Sequence, residues 1–185
     1  MNIKSILTAL ILGSTALSTT SQGTVITGNA LHSISGSDAF VYAYNQATVA
    51  LTTGADVAFL DMYDQSHASL YAGELSWLHL YDQSTADIHQ IDISWLLMGG
   101  NSIAHIYGSD FSYGGGHLSG KWSDGSPFSF WALNINSNGQ ITTPAPASMP
   151  TNISLHSVPI PGTLYLFGAA LLPLIGFHRK LSRTV

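Results

Sequence analysis

Four stretches of this 185-residue chain repeat at intervals of 18 or 19 residues, and that repetition limits the fold more than any other feature. They begin at Ala39, Ala58, Ser76 and Ser94. Each opens with an alternating segment, passes a polar turn (Asn45-Gln46, Asp64-Gln65, Asp82-Gln83, Gly100-Asn101) and continues into a second alternating segment. Alternation bounded by Asp, Asn, Gln, Ser and Gly reads as strand and turn. A short fixed period belongs to a stacked, quasi-one-dimensional fold.

Columns down the repeat give the faces. Val41, Leu60, Leu78 and Leu96 align, as do Ala43, Met62, Leu80 and Met98. In the second segment Val49, Ala68, Ala86 and Ala104 align, with Leu51, Leu70, Ile88 and Ile106 two positions on. Between these lie Ala50, Ser69, Asp87 and His105, giving the inward–outward period of a strand. The expected fold is all-β: a short parallel β-solenoid of four to five rungs over 22–133. An antiparallel meander or sandwich has similar strand spacing and is the alternative. The opposite parity of the first segment places Phe40, Phe59, Trp77 and Trp95 in one outward column, with Tyr44, Tyr63 and Tyr81 in another. Such a ridge suits a glycan or an assembly partner, unless a later segment such as Phe128 to Trp131 covers it.

The repeat fades after Phe111. Leu118 to Trp122, Asp124-Gly125 and Phe128 to Leu133 read as a hairpin with a tight turn that caps the stack. Residues 134–157, with Pro144, Pro146 and Pro150, read as an extended linker.

Both ends carry export features. Lys4 precedes an apolar stretch from Ile6 to Leu17, and small residues follow, so 1–21 reads as a signal peptide rather than a retained anchor. From Val158 to Phe177 no residue is charged, a length that matches the hydrocarbon core of a bilayer. Arg179, Lys180 and Arg183 then form a basic stop-transfer tail that stays cytoplasmic. A plain single-span anchor has the same features.

The order Val158-Pro159-Ile160-Pro161-Gly162, then Leu164 to Gly168, Ile175-Gly176-Phe177 and Arg179-Lys180, resembles the PEP-CTERM sorting signal of Gram-negative bacteria in its Val-Pro-x-Pro variant. Ile160 stands where that motif has Glu, and Gly162 where Ala is usual. The resemblance implies an exosortase-type membrane protease acting near Pro159–Gly162, transient anchoring in the inner membrane, and delivery to the cell surface or an extracellular polysaccharide or biofilm matrix.

Charge agrees with such a place. All ten acids lie between Asp38 and Asp124, where Lys121 is the single Lys or Arg. That balance excludes nucleic acid as a partner, since phosphate binding needs Lys and Arg. Cysteine is absent, so disulfides and thiolate metal sites are excluded too.

Catalytic signals are thin. No HExxH helix, Gly-x-Ser-x-Gly elbow or Walker loop occurs. His67 to His105 fall in different columns. Asp61 or Asp64 with Asp82 would imitate a glycosidase pair, but the rungs are short and lack groove-building loops. Stacked Asp64 and Asp82 should repel, as should a second column, Asp56, Glu74, Asp92 and Asp110. Calcium would relieve that repulsion, yet its nonapeptide and EF-hand patterns are missing. The expectation is therefore a noncatalytic surface or matrix protein without a cofactor, its turn acids solvated. A carbohydrate-binding module and a small polysaccharide-active enzyme are the alternatives.

Overall fold

The computed structural model describes residues 23–136, 138–141 and 148–158. They form strands β1 (Thr24–Ile26), β2 (Leu31–Ile34), β3 (Ser37–Ala43), β4 (Thr48–Leu51), β5 (Asp56–Met62), β6 (His67–Leu70), β7 (Glu74–Leu80), β8 (Thr85–Ile88), β9 (Asp92–Met98), β10 (Ile103–Gly114), β11 (His117–Lys121), β12 (Pro127–Asn134) and β13 (Ile153–Ser157), with no helix among the described residues. The signal peptide, the processing residues Pro159 to Gly162 and the basic tail expected above lie outside this set.

Strands β1, β3, β5, β7 and β9 stack in parallel as a first sheet, and β2, β4, β6, β8 and the start of β10 as a second. The chain therefore winds through five successive strand pairs as a parallel β-solenoid, not a meander. Register follows the sequence columns: Val41 pairs with Leu60, Leu60 with Leu78 and Leu78 with Leu96, all fully buried. Burying each of these leucines stabilises the fold by about 1.5–3 kcal/mol.

Within the first sheet the alternation slips once. Val57 and Leu60 are both buried although three residues apart, and the pairing skips Ala39, Ala58, Ser76 and Ser94. The strand bends there, turning two successive positions outward.

The two corners of a rung differ. The polar corner is four residues long in every rung: 27–30, 44–47, 63–66, 81–84 and 99–102. Asn45, Asp64 and Asp82 adopt φ of 62°, 57° and 55°, and Gly100 takes the same place at 65°. Asn and Asp tolerate this left-handed region better than other side chains. The opposite corner runs from two to four residues and absorbs the change of period from 19 to 18.

Buried serines line the polar corner. Ser66, Ser84 and Ser102 follow Ala47 in one fully buried column, and their hydroxyls have no hydrogen-bond partner.

The hairpin closes the far end. β12 pairs parallel with β9, β11 pairs antiparallel with β12, and the second half of β10 pairs antiparallel with β11. β10 thus belongs to both sheets and joins them around the end of the core. Leu118 and Phe130 are buried against the last rung, with Trp122 and Phe128 beside them. The turn is not the tight two-residue form expected from Asp124-Gly125. Trp122 N–H donates to Ser126 C=O and Gly125 N–H to Trp122 C=O, with Gly125 at φ 86°. This is a three-residue connection whose left-handed residue is glycine.

The linker expectation for 134–157 needs correction. Ile153 to Ser157 form β13, which pairs parallel with β10 from Ala104 to Gly108. Ile153 is buried in the column begun by Val49. The local sequence is polar and proline-rich, but the bare edge of β10 supplies the pairing that its composition does not announce. Asp110 also leaves its expected column. Asp56, Glu74 and Asp92 are in register, whereas Asp110 sits at a bulge with φ 53° and pairs with Lys121 at 2.8 Å.

Candidate functional site

The outer face of the first sheet holds the aromatic ridge. Phe40 stacks on Phe59 at 5.1 Å, Phe59 on Trp77 at 6.0 Å and Trp77 on Trp95 at 4.8 Å between centroids, with planes within 13°. Phe128 to Trp131 do not cover it. Trp131 joins it, stacking on Trp95 at 5.1 Å, while Phe128 and Phe130 turn into the core. His117 follows at 3.6 Å from Trp131. Tyr44, Tyr63 and Tyr81 form the second ladder at 4.9 and 4.8 Å. It stops at Gly99, where Ile135 packs so close that a methyl group on Gly99 would lie 3.2 Å from Ile135 Cγ1.

Geometry limits what the ridge can do. Near-parallel rings at these separations overlap face to face and leave mainly their edges to solvent. Stacking on a sugar needs a free ring face. Phe40, 37% exposed, carries one at the end of its ladder, because Gly23 occupies the next position. The other members are only partly exposed.

Between the two ladders runs a mixed column: Tyr42, Asp61, His79, Leu97 and Leu133. Asp61 Oδ1 lies 2.7 Å from His79 Nδ1, and both side chains are largely buried among Phe59, Trp77 and Tyr81. Burial raises the pKa values of Tyr63 and Tyr81 above that of a free phenol, and the Asp61 carboxylate adds to the effect. Farther along, Leu97, Leu133 and Ile135 make a separate apolar cluster with Trp95 and Trp131.

The turn acids are bonded rather than opposed. Asp64 Oδ2 accepts the Asn45 N–H at 2.8 Å, and Asp82 Oδ2 accepts the Asp64 N–H at 3.1 Å. Each carboxylate satisfies a backbone donor of the preceding rung. Gln46, Gln65 and Gln83 stand beside them, exposed, along a polar groove parallel to the stack. Among the described residues no group of three His, Asp or Glu is arranged to hold a metal ion.

Sequence reasoning missed a third ladder. Tyr71, His89, Tyr107 and His156 stack along the second sheet at 4.9, 4.2 and 4.6 Å. His105 Nδ1 lies 3.0 Å from His156 Nε2, and His67 Nε2 lies 3.5 Å from Asp87 Oδ2. Histidines from different columns thus share one face. Burial lowers the His89 pKa, opposed by Asp87; burial also raises the Tyr107 pKa, with Asp87 adding to it. The repeat contained part of this signal, since Tyr71, His89 and Tyr107 recur every 18 residues. His156 arrives through β13 and has no place in the repeat.

No family model matches this chain, and no curated protein or solved structure matches it.

Proposed function

We propose that this chain is the precursor of an exported, noncatalytic cell-surface or matrix protein. Its working part is the acidic solenoid, and its C-terminal segment serves as the address. The observation that carries the structural role is the aromatic ladder. Its ring faces are spent on one another, so they hold rungs together along the rod instead of presenting a row of platforms. Extracellular polysaccharide is the proposed surrounding, met by the exposed amides of Gln46, Gln65 and Gln83 and by ring edges.

Sorting rests on Val158-Pro159-Ile160-Pro161-Gly162, the apolar run to Phe177 and the bases Arg179, Lys180 and Arg183. An exosortase-type protease in the inner membrane is the proposed first partner. The Val158 N–H donates to Gly108 C=O at 2.8 Å, so the first residue of the processing motif is tied to β10.

The carbohydrate-binding reading retains one specific support, the open face of Phe40. The enzyme reading loses ground because Asp64 and Asp82 each commit an oxygen to the backbone and Asp61 is bonded to His79.

Mass spectrometry of protein recovered from the outer surface tests the sorting half. A C-terminus between Val158 and Gly162 is expected, and an intact Val185 overturns it. Retention on matrix glycans tests the other half. The double variant Trp77→Ala, Trp95→Ala should bind as the parent does wherever it remains folded, and loss of binding would restore the aromatic platform.

A further inference from the structure

We propose that the N-terminal end of the solenoid is a self-association surface, through which two copies pair head to head along β1 and β2 about a two-fold axis. Among the described residues β1 pairs only with β3, and β2 only with β4. Each strand therefore presents one row of backbone N–H and C=O groups with no ladder partner. Natural proteins blunt such edges with charges, proline, bulges or a covering segment.

The two ends of this molecule are treated differently. The far end of the first sheet carries the hairpin, a bulge between Ser109 and Ser112, and the Lys121–Asp110 ion pair. The first rung, residues 23–36, contains no Asp, Glu, Lys, Arg or Pro. It exposes Val25 by 62% and Leu31 by 68%, outward positions that later rungs fill with Tyr42, Asp61 and His79, or with Thr48, His67 and Thr85. Its Gly23 also leaves open the terminal ring face of Phe40.

Charge selects the occupant. Ten acids against Lys121 make the rest of the body strongly anionic, so two copies repel along their sides. They meet few like charges at the N-terminal end, whose first rung is uncharged and whose nearest acid, Asp38, is bonded to Thr24. Among the described residues β13 is a third strand with one open edge, but only the N-terminal end offers two such edges together, and pairing of that end with its own copy closes as a two-fold dimer. Antiparallel β1–β1 and β2–β2 contacts would satisfy the edge groups and place apolar side chains against their counterparts. Val158 is bonded to Gly108 at the far end, so the dimer would place its two Val158 residues at opposite tips. That arrangement would bridge two surfaces; this consequence rests on the matrix reading, while the pairing itself does not.

Light scattering on the full-length chain in detergent, corrected for bound detergent, should give twice the chain mass at micromolar concentration. The variant Val25→Lys, Leu31→Lys places charges only on exposed side chains and should raise the dissociation constant at least about tenfold, with an unchanged circular dichroism spectrum. The chain has no cysteine, so single-cysteine variants report geometry. Val25→Cys should cross-link to itself through a short bismaleimide, and Ser123→Cys in the cap turn should not. A monomer at 100-fold higher concentration overturns the proposal, as does cross-linking only in mixtures of the two cysteine variants, which signals head-to-tail stacking. Dimers that survive the lysines overturn it too, because they form through another surface.

Discussion

Trp95→Ala removes the ring with a tryptophan on both sides, and its cost follows from the ladder. Trp95 stacks on Trp77 at 4.8 Å and 5° and on Trp131 at 5.1 Å and 11°. Each stacked pair contributes about 0.5–1.5 kcal/mol beyond area burial, so two lost pairs cost about 2 kcal/mol. The half-buried indole also covers the outer cluster around Leu97 and Leu133, and roughly 60 Å² of lost apolar burial adds about 1.5 kcal/mol. The expected loss is about 3.5 kcal/mol, or a fall in Tm of roughly 10 °C for a body of this size. Phe40→Ala is the internal control, since Phe40 stacks on one side only and is more exposed; it should lose about half as much. Urea unfolding of both variants provides the numbers, and a Trp77→Ala/Trp95→Ala cycle provides the coupling. Neighbouring rings should couple by about 1 kcal/mol, whereas Phe40 and Trp95 should be additive. A Trp95→Ala loss below 1 kcal/mol, or no coupling in the Trp77 cycle, would refute the claim that these faces hold the rungs together.

Ser84→Ala should stabilise the fold by up to about 1 kcal/mol, read as a higher urea midpoint, because it deletes a buried hydroxyl without a partner from a column that already accepts Ala47. Gly73→Ala should cost at least about 3 kcal/mol and leave little folded protein by circular dichroism: φ is +105°, and a methyl group would stand 2.6 Å from the Ala55 carbonyl oxygen. The His89 pKa is lowered, so the folded state binds the proton less readily than the unfolded chain does. Its contribution is therefore fully present above the ordinary histidine pKa of about 6.5 and is lost as pH falls below it. His89→Gln should flatten the pH dependence of Tm between about pH 5 and 7, and an unchanged slope would refute the assignment to His89.

Much of the fold was readable in the chain because its information is local and repeated. Period-two alternation assigned Leu60 inward and Phe59 outward, and recurrence at 18 or 19 residues set rung against rung. Asn45, Asp64 and Asp82 marked the polar corner because left-handed backbone favours Asx residues. The hairpin was visible in its two strands and Asp124-Gly125, although the length of its turn was not.

Pairings between segments outside the repeat were decided in three dimensions. β13 joins β10 across 38 intervening residues, and neither strand contains a pattern that selects the other; only the bare edge and the vacant place below Ala104 do so. Trp131 entered the aromatic column because β12 runs parallel to β9 in a register that the hairpin sequence does not encode. The same holds for chemistry. Composition gave the carboxylates and imidazoles, but whether Asp64 repels Asp82 or bonds a backbone amide, and whether His105 meets His156, depends on side-chain direction and on a strand from elsewhere in the chain. A repeat determines what lies above and below a residue; what closes the ends of the stack and what shares its faces is settled by the packed structure.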